Sequence, residues 1–151
     1  MAKTITNIDD VRKGLMKKIN TFRDKTTTEI YSEEVPQNFK EPCFFITEIR
    51  SSQARELGNR YKRGHLYDIH YFPNPKSDSK NADMREIAEI MYDNLEYIEV
   101  KGKLTMGLDL NHKIVDGVLH FSVKYPLLLY KEVEKIPDMG TLEHKGGIEI
   151  D

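Results

Sequence analysis

Asp68 and His70 stand two apart in the run His65-Leu66-Tyr67-Asp68-Ile69-His70-Tyr71-Phe72, which alternates as a strand does. Residues two apart on a strand share a face, so a carboxylate and an imidazole lie side by side there, with His65 near in the chain. Such a pair could ligate a divalent metal or serve as acid and base. A metal site needs three or four converging ligands, and no HxxxH, CxxC or HxxE spacing supplies the rest. A structural pair on a partly buried strand is the expected role. No metal, cofactor or catalytic residue is expected.

The other reactive side chains read the same way. Cys43 opens an apolar strand-like run with no histidine close by, which predicts a packed core thiol rather than a nucleophile. His112 falls on an expected core face, as a hydrogen-bonded, half-buried residue. Asp109, Asp116 and Glu99 could be imagined as a two-metal nuclease cluster, but turn and strand-edge roles account for them. The basic run Arg50, Arg55, Arg60, Lys62 and Arg63 carries more. With Tyr61, Tyr67 and Tyr71 nearby it could contact phosphates and stack on bases. Glu48 and Glu56 interrupt it, however, and the whole chain has a formal charge of −2. Pairing between protein subunits explains it better, since arginine and tyrosine are enriched at such interfaces. Arg50, Arg55, Arg60, Tyr61, Lys62 and Arg63 are therefore the candidate oligomer or partner interface, and no sequence-specific nucleic acid is expected.

These residues must be held by one domain, since 151 residues suffice for one core. A hydrophobic content of 38% beside 32% charged residues makes that core thin and the surface polar. One cysteine excludes an intramolecular disulfide framework and fits a reducing compartment. No apolar run reaches signal-peptide length at the start, or the roughly 18 residues of a membrane span anywhere. A soluble protein made in the cytoplasm is expected.

Ile8, Val11, Leu15, Ile19 and Phe22 recur at helical spacing and predict a helix over 8–23 capped by Asn7. Gly14 weakens its centre by about 1 kcal/mol relative to alanine. Thr26–Tyr31 reads as a strand, and so do Cys43–Ile49 and His65–Phe72. The connection between the last two offers nothing turn-like before Gly58-Asn59. Both strands are expected to continue outward and pair as a protruding hairpin. Met84, Ile87, Ala88, Met91, Leu95 and Ile98 mark a second amphipathic helix, and Lys101-Gly102-Lys103 turns the chain. Asp116-Gly117 between alternating runs predicts a type I′ hairpin. It pairs Ile114 with Leu119, His112 with Phe121, Leu110 with Val123 and Leu108 with Tyr125, all on one core face. Residues 132–151 are rich in glycine and charge, and are expected to form an extended or flexible arm beyond a domain of residues 1–131. The class is α+β: a mixed, mostly antiparallel sheet, two amphipathic helices on one face and a protruding hairpin.

The wording of several blocks resembles the tail terminators of tailed phages and prophages. These are Pro42–Ile46, Glu56-Leu57-Gly58-Asn59-Arg60-Tyr61, Tyr67–Phe72, Leu95–Ile98, Val115–Phe121 and Thr141-Leu142-Glu143 with Gly146-Gly147, in order over roughly residues 8–148. The resemblance implies a non-enzymatic virion protein, assembled in the host cytoplasm. Its partners would be its own copies in a ring, usually a hexamer, together with the tail tube protein and a head-completion or neck protein. It also implies an α+β fold and supplies no catalytic residues. A ring needs head-to-tail interfaces, for which the basic hairpin is one candidate patch and Glu33, Glu34, Glu86 or Glu89 are possible complements. Another head–tail joining or tail-completion role is the nearest alternative. A nucleic-acid-binding module, or a metal-dependent hydrolase built on Asp68, His70 and His65, stands further off.

Overall fold

A computed structural model describes residues 7–32 and 34–131. Helix α1 (Ile8–Phe22) starts where the sequence sets a cap. Asp10 N–H donates to the Asn7 side chain at 3.0 Å, and Asn7 N–H donates to the Asp10 carboxylate at 2.8 Å. This reciprocal box satisfies two of the helix's orphan donors. Beyond Phe22, Asp24 accepts hydrogen bonds from the Thr26 backbone and hydroxyl, which holds the chain in a turn. Strand β1 (Glu29–Ser32) therefore begins three residues later than its β-branched sequence suggests.

β2 (Cys43–Arg55) and β3 (Arg60–Phe72) pair from Cys43 opposite Phe72 out to Arg55 opposite Tyr61. Both strands thus extend through the connection between the two expected runs. The outer part is not a lone two-stranded ribbon, because β7 (Val118–Tyr130) follows β3 all the way to Arg60 opposite Tyr130. A register shift between Glu48 and Arg50 leaves Ile49 without a partner opposite, half exposed, and reverses the alternation beyond it.

Helix α2 (Lys80–Asn94) ends one residue before Leu95, whose N–H closes on Met91 O at 2.8 Å. Ile98, expected as the helix's last apolar position, belongs instead to β4 (Tyr97–Val100). The Tyr-Ile-Glu-Val alternation fits a strand, and β4 pairs with β5 (Lys103–Met106) across Lys101 and Gly102, both at positive φ. Ile98 remains buried there.

The main sheet runs β1-β2-β3-β7-β6, with β1 and β2 parallel and the other pairs antiparallel. One face carries Phe44, Ile46, Tyr67, Ile69, Phe121 and Val123, packed with Val11, Leu15 and Ile19 of α1 and Met84, Ala88 and Met91 of α2. Each large apolar side chain so buried contributes about 1.5–3 kcal/mol. Gly14 lies where α1 meets β4: a Cβ there would stand 2.5 Å from the Glu99 carbonyl oxygen. The glycine that weakens the helix locally is what lets it approach.

The last hairpin turns on Asp116 and Gly117, both at positive φ, and pairs Ile114 with Leu119 and His112 with Phe121 as expected. The expected register fails further along. Asp109 sits at φ 55 in an irregularity between Leu108 and Asn111, so Leu108 lies opposite Lys124 rather than Tyr125. The shared core face also stops short. Leu119, Phe121, Val123 and Tyr125 are buried, but Leu108, His112 and Ile114 on β6 (Leu108–Val115) are exposed. β6 is the sheet's edge, and what reaches it from α2 is chiefly Tyr92, packed on Phe121 and on the His112 ring.

Candidate functional site

The basic run is distributed along the outer reach of β2 and β3. Arg50 follows the bulge, is exposed, and lines a shallow depression of about 180 Å³ with Lys124 and Asp109. At the tip, Arg55 Nε donates to Gly58 O at 3.1 Å and Arg60 Nε donates to Glu56 Oε1 at 3.1 Å. Arg63 donates twice to Gln53 Oε1, at 3.0 and 2.8 Å, across the strand pair. These bonds hold the guanidinium groups along the hairpin. The Lys62 side chain is exposed and makes no hydrogen bond or ion pair among the described residues. Tyr61 is the exception to surface placement: it is 6% exposed and lies under the Lys131 ammonium, 4.5 Å from its ring centre.

Composition alone does not show that the same region carries exposed apolar side chains. Leu57 at the tip is 74% exposed, and Leu128 and Tyr130 on β7 are 56% and 63% exposed. They stand opposite Lys62 and Arg60 in register, so cations and apolar groups are interleaved. That mixture is typical of surfaces that meet other proteins. Asn59 and Lys131 exchange hydrogen bonds, Lys131 N–H to Asn59 O at 3.0 Å and Asn59 Nδ2 to Lys131 O at 3.1 Å. The end of the described chain is thereby fastened to the hairpin tip. Of the suggested acidic complements, Glu34, Glu86 and Glu89 are exposed, and Glu33 lies outside the described residues. Glu86, Glu89 and Asp93 form an exposed acidic stripe along α2.

The sheet separates the histidines that the sequence placed near one another. His65 faces the helix side and is fully buried, its Nδ1 3.6 Å from Glu48 Oε2, beyond hydrogen-bond reach. Neither His65 nitrogen, nor Glu48 Oε2, nor the Tyr67 hydroxyl has a hydrogen-bond partner among the described residues. Burial accordingly holds the His65 pKa below its usual range, against the attraction of Glu48. Burial also raises the Tyr67 hydroxyl above its usual range.

Asp68 and His70 face the other way, as their spacing requires, and meet His120 from β7. The sequence reading missed His120. Its only signal was the polar face His120, Ser122, Lys124 of an otherwise apolar strand, and nothing in the spacing made β7 a neighbour of β3. Burial alone would raise the Asp68 pKa, but hydrogen bonds and charge from His70 and then His120 hold it below the ordinary value.

Cys43 is buried, and burial, reinforced by Glu41 and Glu29, pushes its thiol up to about 12. Such a thiol is not an accessible thiolate at neutral pH. Asp109 and Asp116 hold positive-φ positions, and Glu99 pairs with Lys17 at 3.5 Å.

Residues 10–137 match the family described as phage tail terminator protein. The chain belongs to the phage tail terminator family. No curated protein sequence matches it. Among solved structures it is similar to the sheath/tube terminator of an extracellular contractile injection system, PVC, in its extended state, at 13% identity and a TM-score of 0.49. That alignment covers 97% of this chain and 67% of the other. In a tail terminator, a structural component of the virion tail, the surface that matters is the one that meets other proteins.

Proposed function

We propose that the chain assembles into a ring of six that seats on the end of the tail tube, stops its growth and presents a surface to the head-completion or neck protein. The observation that carries this reading is membership of the tail terminator family over most of the chain. The surface supports it. A ring requires one patch to meet a different patch on the next copy. The outer hairpin offers cations with Leu57, Leu128 and Tyr130, and the exposed face of α2 offers Glu86, Glu89 and Asp93. Opposite charge on two separate elements favours head-to-tail contact over contact between like patches.

The arm, residues 132–151, lies outside the described residues and is assigned a second contact. β1 pairs with β2 only from Cys43 to Ile46, so the rest of β2 has β3 on one side and no strand on the other among the described residues. An extended segment from a neighbouring copy can add a strand along such an edge. The chain acts by assembly within the virion tail, formed in the host cytoplasm, and no catalytic step is proposed. Solution mass by light scattering, alone and with purified tail tubes, tests the reading. Six-fold mass, free or only in the presence of tubes, is expected. A chain that stays monomeric and leaves tubes unbound would overturn it.

A further inference from the structure

We propose that Asp68, His70 and His120 form a binding site for a divalent transition-metal ion, with zinc as the reference ion. The strands bring the three together from positions fifty residues apart. His70 and His120 are directly opposed on β3 and β7, and Asp68 lies two residues along β3 on the same face. His70 Nε2 lies 3.0 Å and His120 Nδ1 3.4 Å from the same carboxylate oxygen, Asp68 Oδ2. The two rings meet edge to face at 4.3 Å, and one ligand atom from each residue falls within 4.8 Å of the others. Zinc bonds of about 2.0–2.1 Å in tetrahedral array set ligand atoms roughly 3.3 Å apart, a spacing that each histidine already approaches to Asp68, while the two imidazole nitrogens, within 4.8 Å of each other, can close to it by side-chain rotation.

The hydrogen bonding within the trio is lopsided. Two imidazoles converge on Oδ2 while Asp68 Oδ1 is buried with no hydrogen-bond partner among the described residues. A buried carboxylate oxygen left without a partner is costly, and a cation at the trio would stabilise both oxygens. A carboxylate and two imidazole nitrogens offer lone pairs to one point, a donor set for a cation and not for an anion. Imidazole nitrogens select zinc, nickel, copper or cobalt over magnesium and calcium, which prefer oxygen. The three side chains remain between a fifth and a quarter exposed, so the site is open to solute. Three protein ligands leave a fourth position for water or a group from another molecule.

The test uses the full chain, free of any affinity tag and stripped of metal by chelator. Zinc is titrated by calorimetry and cobalt by visible absorption. One ion per chain is expected, with the cobalt spectrum reporting nitrogen ligation. Asp68→Asn, His70→Ala and His120→Gln should each weaken binding at least about tenfold. His112→Ala, on the opposite face of the sheet and bonded to Tyr92, should leave it unchanged. Circular dichroism identifies any variant that fails to fold, and the remaining ligand variants then decide. Absence of binding by the native chain, or equal binding by the folded ligand variants, would overturn the proposal.

Discussion

The Tyr125 hydroxyl, buried within the sheet's core face, donates a 2.6 Å hydrogen bond to the carbonyl of Leu95, the residue that closes α2. One side chain thereby ties the helix end to the central strand pair, and burial holds its phenol well above the usual tyrosine range. The terminal carbonyls of a helix have no partner within it, so this bond satisfies a group that burial would otherwise leave orphaned. Tyr125→Phe keeps the ring and removes the bond. It should cost about 1–3 kcal/mol, read as a lowered urea midpoint with unchanged slope.

Gly14→Ala should destabilise the fold although alanine is the better helix former. The gain of about 1 kcal/mol in helix propensity is outweighed by a methyl placed against the Glu99 backbone, where overpacking costs typically 1–3 kcal/mol or more. Thermal unfolding should show a lower midpoint. A midpoint raised by the substitution would mean that α1 and β4 are not in this close contact.

Acid should weaken the fold through His65. Burial lowers its folded pKa below the ordinary 6.5, so the unfolded chain binds its proton first as pH falls. Its stabilising contribution is present above about pH 6.5 and is lost below it, at up to about 1.4 kcal/mol per pH unit until the folded pKa is reached. Urea midpoints at pH 7.5, 6 and 5 should show this slope for the native chain, and a shallower one for His65→Leu.

Reversing the hairpin charge should abolish the assembly without unfolding the subunit. Lys62→Glu replaces an exposed cation, and Arg60→Glu on a half-exposed position also breaks the surface ion pair with Glu56, so the cost in stability stays at about 1 kcal/mol. Light scattering should show loss of the ring, and Glu86→Lys with Glu89→Lys in the partner copy should restore it. Truncation after Glu132 should weaken the ring independently. Unchanged assembly in the charge-reversed and truncated chains would remove both the hairpin and the arm from the interface.

Local chemistry explains which parts of this architecture were legible in the sequence. Asn7 and Asp10 cap α1 with their own backbone, and Asp116-Gly117 defines its turn, so both could be read from a few residues. The extension of β2 and β3 followed from the absence of turn residues before Gly58. What escaped depended on partners distant in the chain. Ile98 keeps the helical spacing of α2 but is claimed by pairing with Thr105. His112 and Ile114 alternate as core residues yet lie on an edge strand that the helices leave exposed. His65 looked adjacent to Asp68, whereas strand parity puts it on the opposite face and β7 supplies His120 instead.

Whether the chain caps a tail tube is read directly from images of tube ends. Tail tubes assembled from purified tube protein, with and without this chain, are examined by negative-stain electron microscopy. A ring of density on tube ends is expected, with tubes that stop elongating once it is bound. Bare ends, with tubes growing to the same length in its presence, would contradict it.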